Sequence, residues 1–351
     1  VRERLALAML VALALAPRPA AAGEPCATGG GPQAIVELAG PPFTFPTGIA
    51  AASDGAIWVA STYADQLVRV DPVALRATVV ALPLHSHPIG LAADAQGRVW
   101  FAGSGVGLVG RLAPGAARAA EFPPPSLLRA AGAIPTVSGI ALAPDGERAW
   151  FTVGPHSTVA WMPADAEPLR RGTVVTEVAL GPGLGRPEGV AVDRAGAAWV
   201  TEMAADTLVR VGRDGAVRRL PLAAGSRPRG VAVAPDGHVW VALFGRHELL
   251  EVTPATGGTR SWPMPSGSRS HPWALAVDEA GGVWTSEFTA NTVTCFDRGR
   301  ARFAVWVVPT RGSGVRALTV DRRGRAWFVG SGSGRLGVVG PPLPRDTMSA
   351  R

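Results

Sequence analysis

Lysine is absent from this chain of 351 residues, so all 34 of its basic residues are arginine, and the formal net charge is +7. No run of four or more basic residues occurs, which removes the electrostatic footing that a nucleic-acid binder needs. Only two cysteines are present, too few for a disulfide-dense scaffold or a CxxC zinc site. Beyond the N-terminus, no stretch offers the roughly 20 apolar residues of a membrane-spanning helix. The HExxH, Walker and GxSxG patterns are missing too, so metalloprotease, nucleotide-binding and serine-hydrolase readings lack support. Charged residues reach 17% against 47% hydrophobic, too apolar a balance for a disordered chain. What the sequence does have is glycine and proline, 44 and 32 residues, which suits many short strands joined by turns.

Residues 1–22 are predicted to be a secretory signal. Arg2 and Arg4 form a basic start, residues 5–16 are unbroken apolar, and Ala20, Ala21 and Ala22 supply small residues for cleavage. The expected location is the periplasm or the exterior, where Cys26 and Cys295 can either pair or stay apart. Residues 23–32 are expected to be a flexible mature N-terminus and 341–351 a C-terminal tail.

A repeat dominates the rest. Trp58, Trp100, Trp150, Trp199, Trp240, Trp284 and Trp327 recur at spacings of 41 to 50 residues, each preceded ten or eleven residues earlier by a glycine or alanine. In the fifth unit Gly230 to Ala234 alternates as a strand, Pro235-Asp236-Gly237 is turn chemistry, and Val239-Trp240 starts a second strand. Two further strands complete a unit of propeller-blade length. The predicted fold is all-β: a seven-bladed β-propeller of four-stranded antiparallel blades over residues 33–340. The last unit has one strand too few, while Ala34 to Leu38 is an orphan, so the N-terminal strand is expected to complete the last blade. Each repeated tryptophan is expected to pack between blades.

Loops at a channel mouth are where a propeller's function tends to sit. The residues just before the repeated glycine position are Thr47, Ile89, Ser138, Glu188, Arg229, Trp273 and Arg316. Those three after each tryptophan are Ser61, Gly103, Val153, Glu202, Leu243, Glu287 and Gly330. Both sets are expected at one rim, with its charge gathered on blades four to seven. His87 and His271 share a pre-proline position. Glu202, Glu287 and His271 are candidates for a divalent metal site or acid–base work, unless nearby arginines neutralise the carboxylates. His156, His247, Asp65, Asp206 and Asn291 are expected to be solvated turn residues.

The stretch from Arg186-Pro-Glu-Gly-Val-Ala-Val-Asp193 to Ala198-Trp-Val-Thr-Glu202 resembles the streptogramin B lyase, or virginiamycin B lyase, family, and the likeness runs through all seven repeats. The resemblance implies a carbon–oxygen lyase that opens cyclic depsipeptides by elimination, with a magnesium ion and a histidine base. It would place that histidine before the glycine of a late blade, where this chain has Trp273 and Arg316. None of the seven pre-glycine residues is histidine, while Glu287 matches a metal-binding position.

Two functions follow as expectations. One is a metal-assisted lyase acting on a cyclic ester or lactone, with His271 and Glu287 catalytic and Glu287 and Glu202 on the metal. Glu188, Arg229, Trp273, Arg316 and His87 would bind the substrate. The other is a non-catalytic, NHL-like scaffold that takes a peptide, glycan or small anion into an arginine-rimmed mouth. The partner in either case is a small molecule or cyclic peptide, with no nucleic acid and no membrane span, and the chain is expected to be a monomer.

Overall fold

The computed structural model describes Cys26 and residues 34–38, 43–74, 76–129, 136–154, 157–169, 172–183 and 185–340. The predicted signal sequence, most of residues 23–32, His156 and the tail at 341–351 lie outside the described residues.

Seven four-stranded antiparallel sheets stand side by side in a ring, a seven-bladed β-propeller. Blade four shows how the sequence builds one. Its strands run Pro187–Val192, Ala198–Glu202, Thr207–Val211 and Val217–Pro221 from the channel outward. The first hairpin turns at Asp193, whose carboxylate accepts from the backbone N–H groups of Ala195 and Ala197 at 3.0 and 2.9 Å. Gly196 supplies the positive φ, +78°, that the turn requires. The second strand is buried along its whole length, whereas the outermost one is largely exposed.

Each repeated tryptophan packs between its own blade and the next. Trp100 lies against Val137 and Phe151 of blade three, and Trp327 against Ile49 and Ile57 of blade one, which closes the ring. In blades two, four, six and seven the indole N–H also donates to an aspartate six residues earlier. These bonds, to Asp94, Asp193, Asp278 and Asp321, span 2.9 to 3.1 Å. In blade three, whose first hairpin is one residue longer, the equivalent turn position is Ala143, seven residues before Trp150, and Trp150 Nε1 is buried with no partner.

Closure follows the predicted scheme. Blade seven consists of Val315–Val320, Ala326–Gly330, Arg335–Gly340 and the N-terminal strand Ala34–Leu38. That strand pairs antiparallel with Arg335–Gly340, Ile35 opposite Val339. Two features hold it in place. Glu37 Oε2 accepts from the Thr310 hydroxyl at 2.6 Å and from its N–H at 3.2 Å. Cys26 forms a disulfide with Cys295 on the third strand of blade six.

The inner strands of neighbouring blades approach so closely that the repeated glycine is a spatial requirement. A Cβ on Gly189 would lie 2.5 Å from the carbonyl oxygen of Arg229. Just before this glycine every blade carries a β-bulge. In blade four Pro187 pairs with Glu202 and Val190 with Val200, so the inner strand holds one residue more than its partner. The same shift recurs in the other six blades. A bulge re-aims side chains, and here it decides which residues face the channel.

Candidate functional site: the channel mouth

All seven pre-glycine residues line one cavity of about 490 Å³ at the axis of the ring. None of the seven residues three positions after the tryptophans does so. Glu202 and Glu287 sit opposite the prolines that precede the bulge, and their side chains are buried within the blades, each residue 0% exposed. One Glu287 oxygen accepts from the Thr292 hydroxyl at 2.9 Å and the other from the Ser266 N–H at 3.3 Å. Glu202 Oε2 lies 2.7 Å from Arg219 Nη1.

His271 stands apart from the cavity wall. Its ring packs on Phe244 and His247, with centroids 4.7 and 4.5 Å away, and its Nδ1 is buried without a partner. Burial, and secondarily the neighbouring His247, holds its pKa below the ordinary 6.5. His87 does line the cavity, edge-on to Tyr63.

The magnesium ion that the resemblance implies takes an octahedral set of oxygens, usually one or two free carboxylates with waters or substrate completing the shell. Among the described residues no three aspartate, glutamate, histidine or cysteine side chains come together to hold a metal. Glu202 and Glu287 belong to different blades; Glu287 accepts a hydrogen bond at each oxygen, whereas the Glu202 carboxylate is ion-paired with Arg219 and accepts no hydrogen bond. The carboxylate that reaches the mouth is Glu188, and its oxygens lie 3.2 Å from Arg186 Nε and 3.6 Å from Arg229 Nη1. These residues do not fit a magnesium site.

What does converge is positive charge on aromatic rings. Arg229 lies over Trp273 with its guanidinium carbon 3.6 Å from the ring centroid, and Arg316 lies over the same indole at 5.1 Å. Phe288 packs on Trp273 at 4.9 Å and Phe244 meets it edge-on at 5.6 Å. Burial, together with repulsion from Arg186, Arg316 and Arg227, holds the Arg229 pKa below its ordinary value against the pull of Glu188. The Nε atoms of both Arg229 and Arg316 are buried and unpartnered. The opposite side is quiet. Thr47 and Ser138 are each tied to a threonine hydroxyl of the frame, at 2.7 and 2.8 Å.

Above the cavity stands a ring of residues held at positive φ immediately before proline: Phe45, His87, Arg186, Arg227 and His271, at +43° to +54°. Proline disfavours the helical regions for the residue before it, and bulky side chains in this conformation cost roughly 1–3 kcal/mol each. The loop residues expected to be solvated maintain it instead. Asp65 accepts from the His87 and His85 N–H groups, both at 2.8 Å, and Asp206 from Arg227 and Gly225 at 2.6 and 2.8 Å. Asn291 accepts from Ser313 at 2.9 Å, and His247 Nδ1 from the His271 N–H at 3.4 Å. They are clasps across the loop, because an acceptor at that place captures the backbone N–H groups entering the next blade.

Sequence reasoning missed the aromatic part of the mouth, namely Phe45, Tyr63, Phe244 and Phe288. The signal was available one residue further on, since Phe244 and Phe288 each lie four residues after a repeated tryptophan and Phe45 shares the pre-proline place of His87.

The profile described as the Virginiamycin B lyase family matches residues 135–342. Among solved structures, a streptogramin B lyase superposes with a TM-score of 0.77 at 21% identity, covering 88% of this chain and 97% of that one. A catalytically inactive histidine-to-alanine variant of virginiamycin B lyase from Staphylococcus aureus, with quinupristin, gives 0.77 at 18% identity over 88% and 100%. Hydrazine synthase from Kuenenia stuttgartiensis gives 0.69 at 15% identity over 88% and 98%. At these identities the likeness concerns the fold. No curated protein matches the chain.

Proposed function

The chain belongs to the virginiamycin B lyase family, and from that premise we propose that it is an exported ligand-binding propeller, one that captures a small anion at the channel mouth without lyase chemistry. The observation that carries this reading is the charge of the mouth. Arg186, Arg227, Arg229 and Arg316 gather at the mouth, where among the described residues Glu188 is the carboxylate that lines the cavity, and the Nε donors of Arg229 and Arg316 are buried without partners. A buried donor with no acceptor is destabilising by about 1–3 kcal/mol, and these two mark cations that no acceptor of the protein neutralises at Nε. The field of several arginines also draws anions toward the entrance and weakens with salt. The disulfide between Cys26 and Cys295 supports an oxidising compartment, in keeping with export.

An elimination needs a base within hydrogen-bond reach of the proton it removes. Among the described residues His87 is the imidazole on the cavity wall, edge-on to Tyr63. The competing reading, a lyase working through His271, Glu287 and Glu202, draws on family membership. The two separate in one assay: the mature protein is incubated with a streptogramin B, with and without magnesium, and followed by chromatography with mass spectrometry. Elimination produces a linear isomer of unchanged mass and altered retention, and hydrolysis adds one water. The expected result is intact substrate in both conditions. A linear isomer that needs His271 and Glu287 would overturn the binding reading.

A further inference from the structure

We propose that Arg316 and Arg229 seat the carboxylate of an aryl carboxylic acid, whose ring lies along the Phe45–Tyr63 aromatic stack on the neighbouring wall. This assignment rests on the reading of the mouth as an anion site and names the class of anion.

Arg316 is surrounded by three aromatic rings. Its guanidinium carbon lies 4.9 Å from the centroid of Phe45, 5.1 Å from Trp273 and 5.4 Å from Phe288. Rings attract a guanidinium through their negative faces, and they hold it in place without using its in-plane donors. No carboxylate pairs with Arg316 among the described residues, and its Nε is buried and unpartnered. A guanidinium presents five N–H groups in a rigid fork that matches a planar carboxylate. Arg229 shares the same indole, so two like charges flank one ring. Their partial counter-charge, Glu188, stands 3.6 Å from Arg229 and is also engaged by Arg186. An anion that accepts from both guanidinium groups relieves that repulsion.

The ring of the ligand is argued from the wall next to Arg316. Phe45 lies against Arg316 and also stacks on Tyr63, with centroids 4.8 Å apart and planes inclined by 14°. Tyr63, the one tyrosine of the chain, is 62% exposed although it lines the cavity. A large aromatic face left open beside a caged cation is a surface for a second aromatic ring. The cavity volume of about 490 Å³ lies within the range for small-molecule sites and exceeds what acetate or phosphate would fill. An acid group bonded directly to a ring spans both features.

The test is calorimetric titration of the full-length protein at low ionic strength with benzoate, benzamide, acetate and inorganic phosphate. Benzoate is expected to bind at least tenfold more tightly than acetate or phosphate, and benzamide, which has the ring but no charge, is expected not to bind. Arg316→Gln should weaken benzoate at least tenfold, and Tyr63→Ala should erase the preference for benzoate over acetate. Thermal melting of each variant shows that it is folded, and Arg229→Gln replaces Arg316→Gln if the latter does not fold. Acetate or phosphate binding as tightly as benzoate would leave the anion reading standing and overturn the aryl assignment. Absence of binding by all three anions would overturn both. Benzoate affinity unaffected by Arg316→Gln and Arg229→Gln would place the site elsewhere and overturn the proposal.

Discussion

The frame of the propeller and the mouth of its channel are made by the same repeat, yet they treat polar groups in opposite ways. In the frame most donors and acceptors meet, with Trp150 Nε1 and the Glu202 carboxylate oxygens among the exceptions. Trp284 Nε1 reaches Asp278 at 3.0 Å, and the hydroxyl of Thr201 reaches the carbonyl of Arg229 in the next blade at 2.5 Å. At the mouth, two arginines crowd one indole and keep buried N–H groups without partners. Groups satisfied within the protein hold it together, and clustered cations left without a carboxylate partner at an opening call for an explanation. Substitutions in the frame should therefore act on stability, and those in the mouth on binding.

The largest effect is expected from Cys295→Ser. The disulfide joins residues 269 apart in sequence, and its loss should lower stability by about 3–5 kcal/mol, read as a drop in melting temperature that a reductant reproduces in the parent protein. An unchanged melting temperature would remove the disulfide from the frame. Next comes Gly189→Ala, which sets a methyl 2.5 Å from the Arg229 carbonyl and should lower stability by about 3 kcal/mol. Ala274 and Ala317 hold the same repeat place in blades six and seven, so their reversal to glycine should have a much smaller effect.

Arg316→Gln addresses the other region. It should move stability by no more than about 1 kcal/mol, the size of a partly exposed cation–aromatic contact, in chemical denaturation. A loss as large as that of Gly189→Ala would make Arg316 part of the frame. The smallest effect concerns pH. The His271 pKa is depressed in the folded protein, so the unfolded chain takes up that proton first as pH falls. Stability should thus decline as pH drops below about 6.5, until the folded pKa is passed and the loss levels off. Melting curves of His271→Gln across pH 7.5 to 5 should lack that part of the decline, and an identical profile would separate His271 from it.

The frame was legible because its determinants are local and repeated. Tryptophan spacing marks the second strand of each blade, and a missing last strand beside an orphan N-terminal one points to the closure. The carboxylates show where such reading stops. Glu202 and Glu188 are both expected at the rim, and their backbones do meet there, Glu202 opposite Pro187. The bulge between Pro187 and Val190 turns Glu188 into the channel and leaves Glu202 inside the blade. His271 shares its positive φ before proline with His87, yet His87 lines the cavity while the His271 ring packs on His247 and Phe244.

Composition and the seven tryptophans determine the all-β ring, its blade count and its closing strand, because each depends on hydrophobic period and turn chemistry within about 40 to 50 residues. Which side chains share the mouth was decided by the tertiary structure. Arg229, Trp273, Arg316 and Phe45 come from four different blades, so no local pattern couples them. They meet because ring closure brings blade one against blade seven, and because a one-residue bulge in each inner strand sets the direction of the side chain that follows.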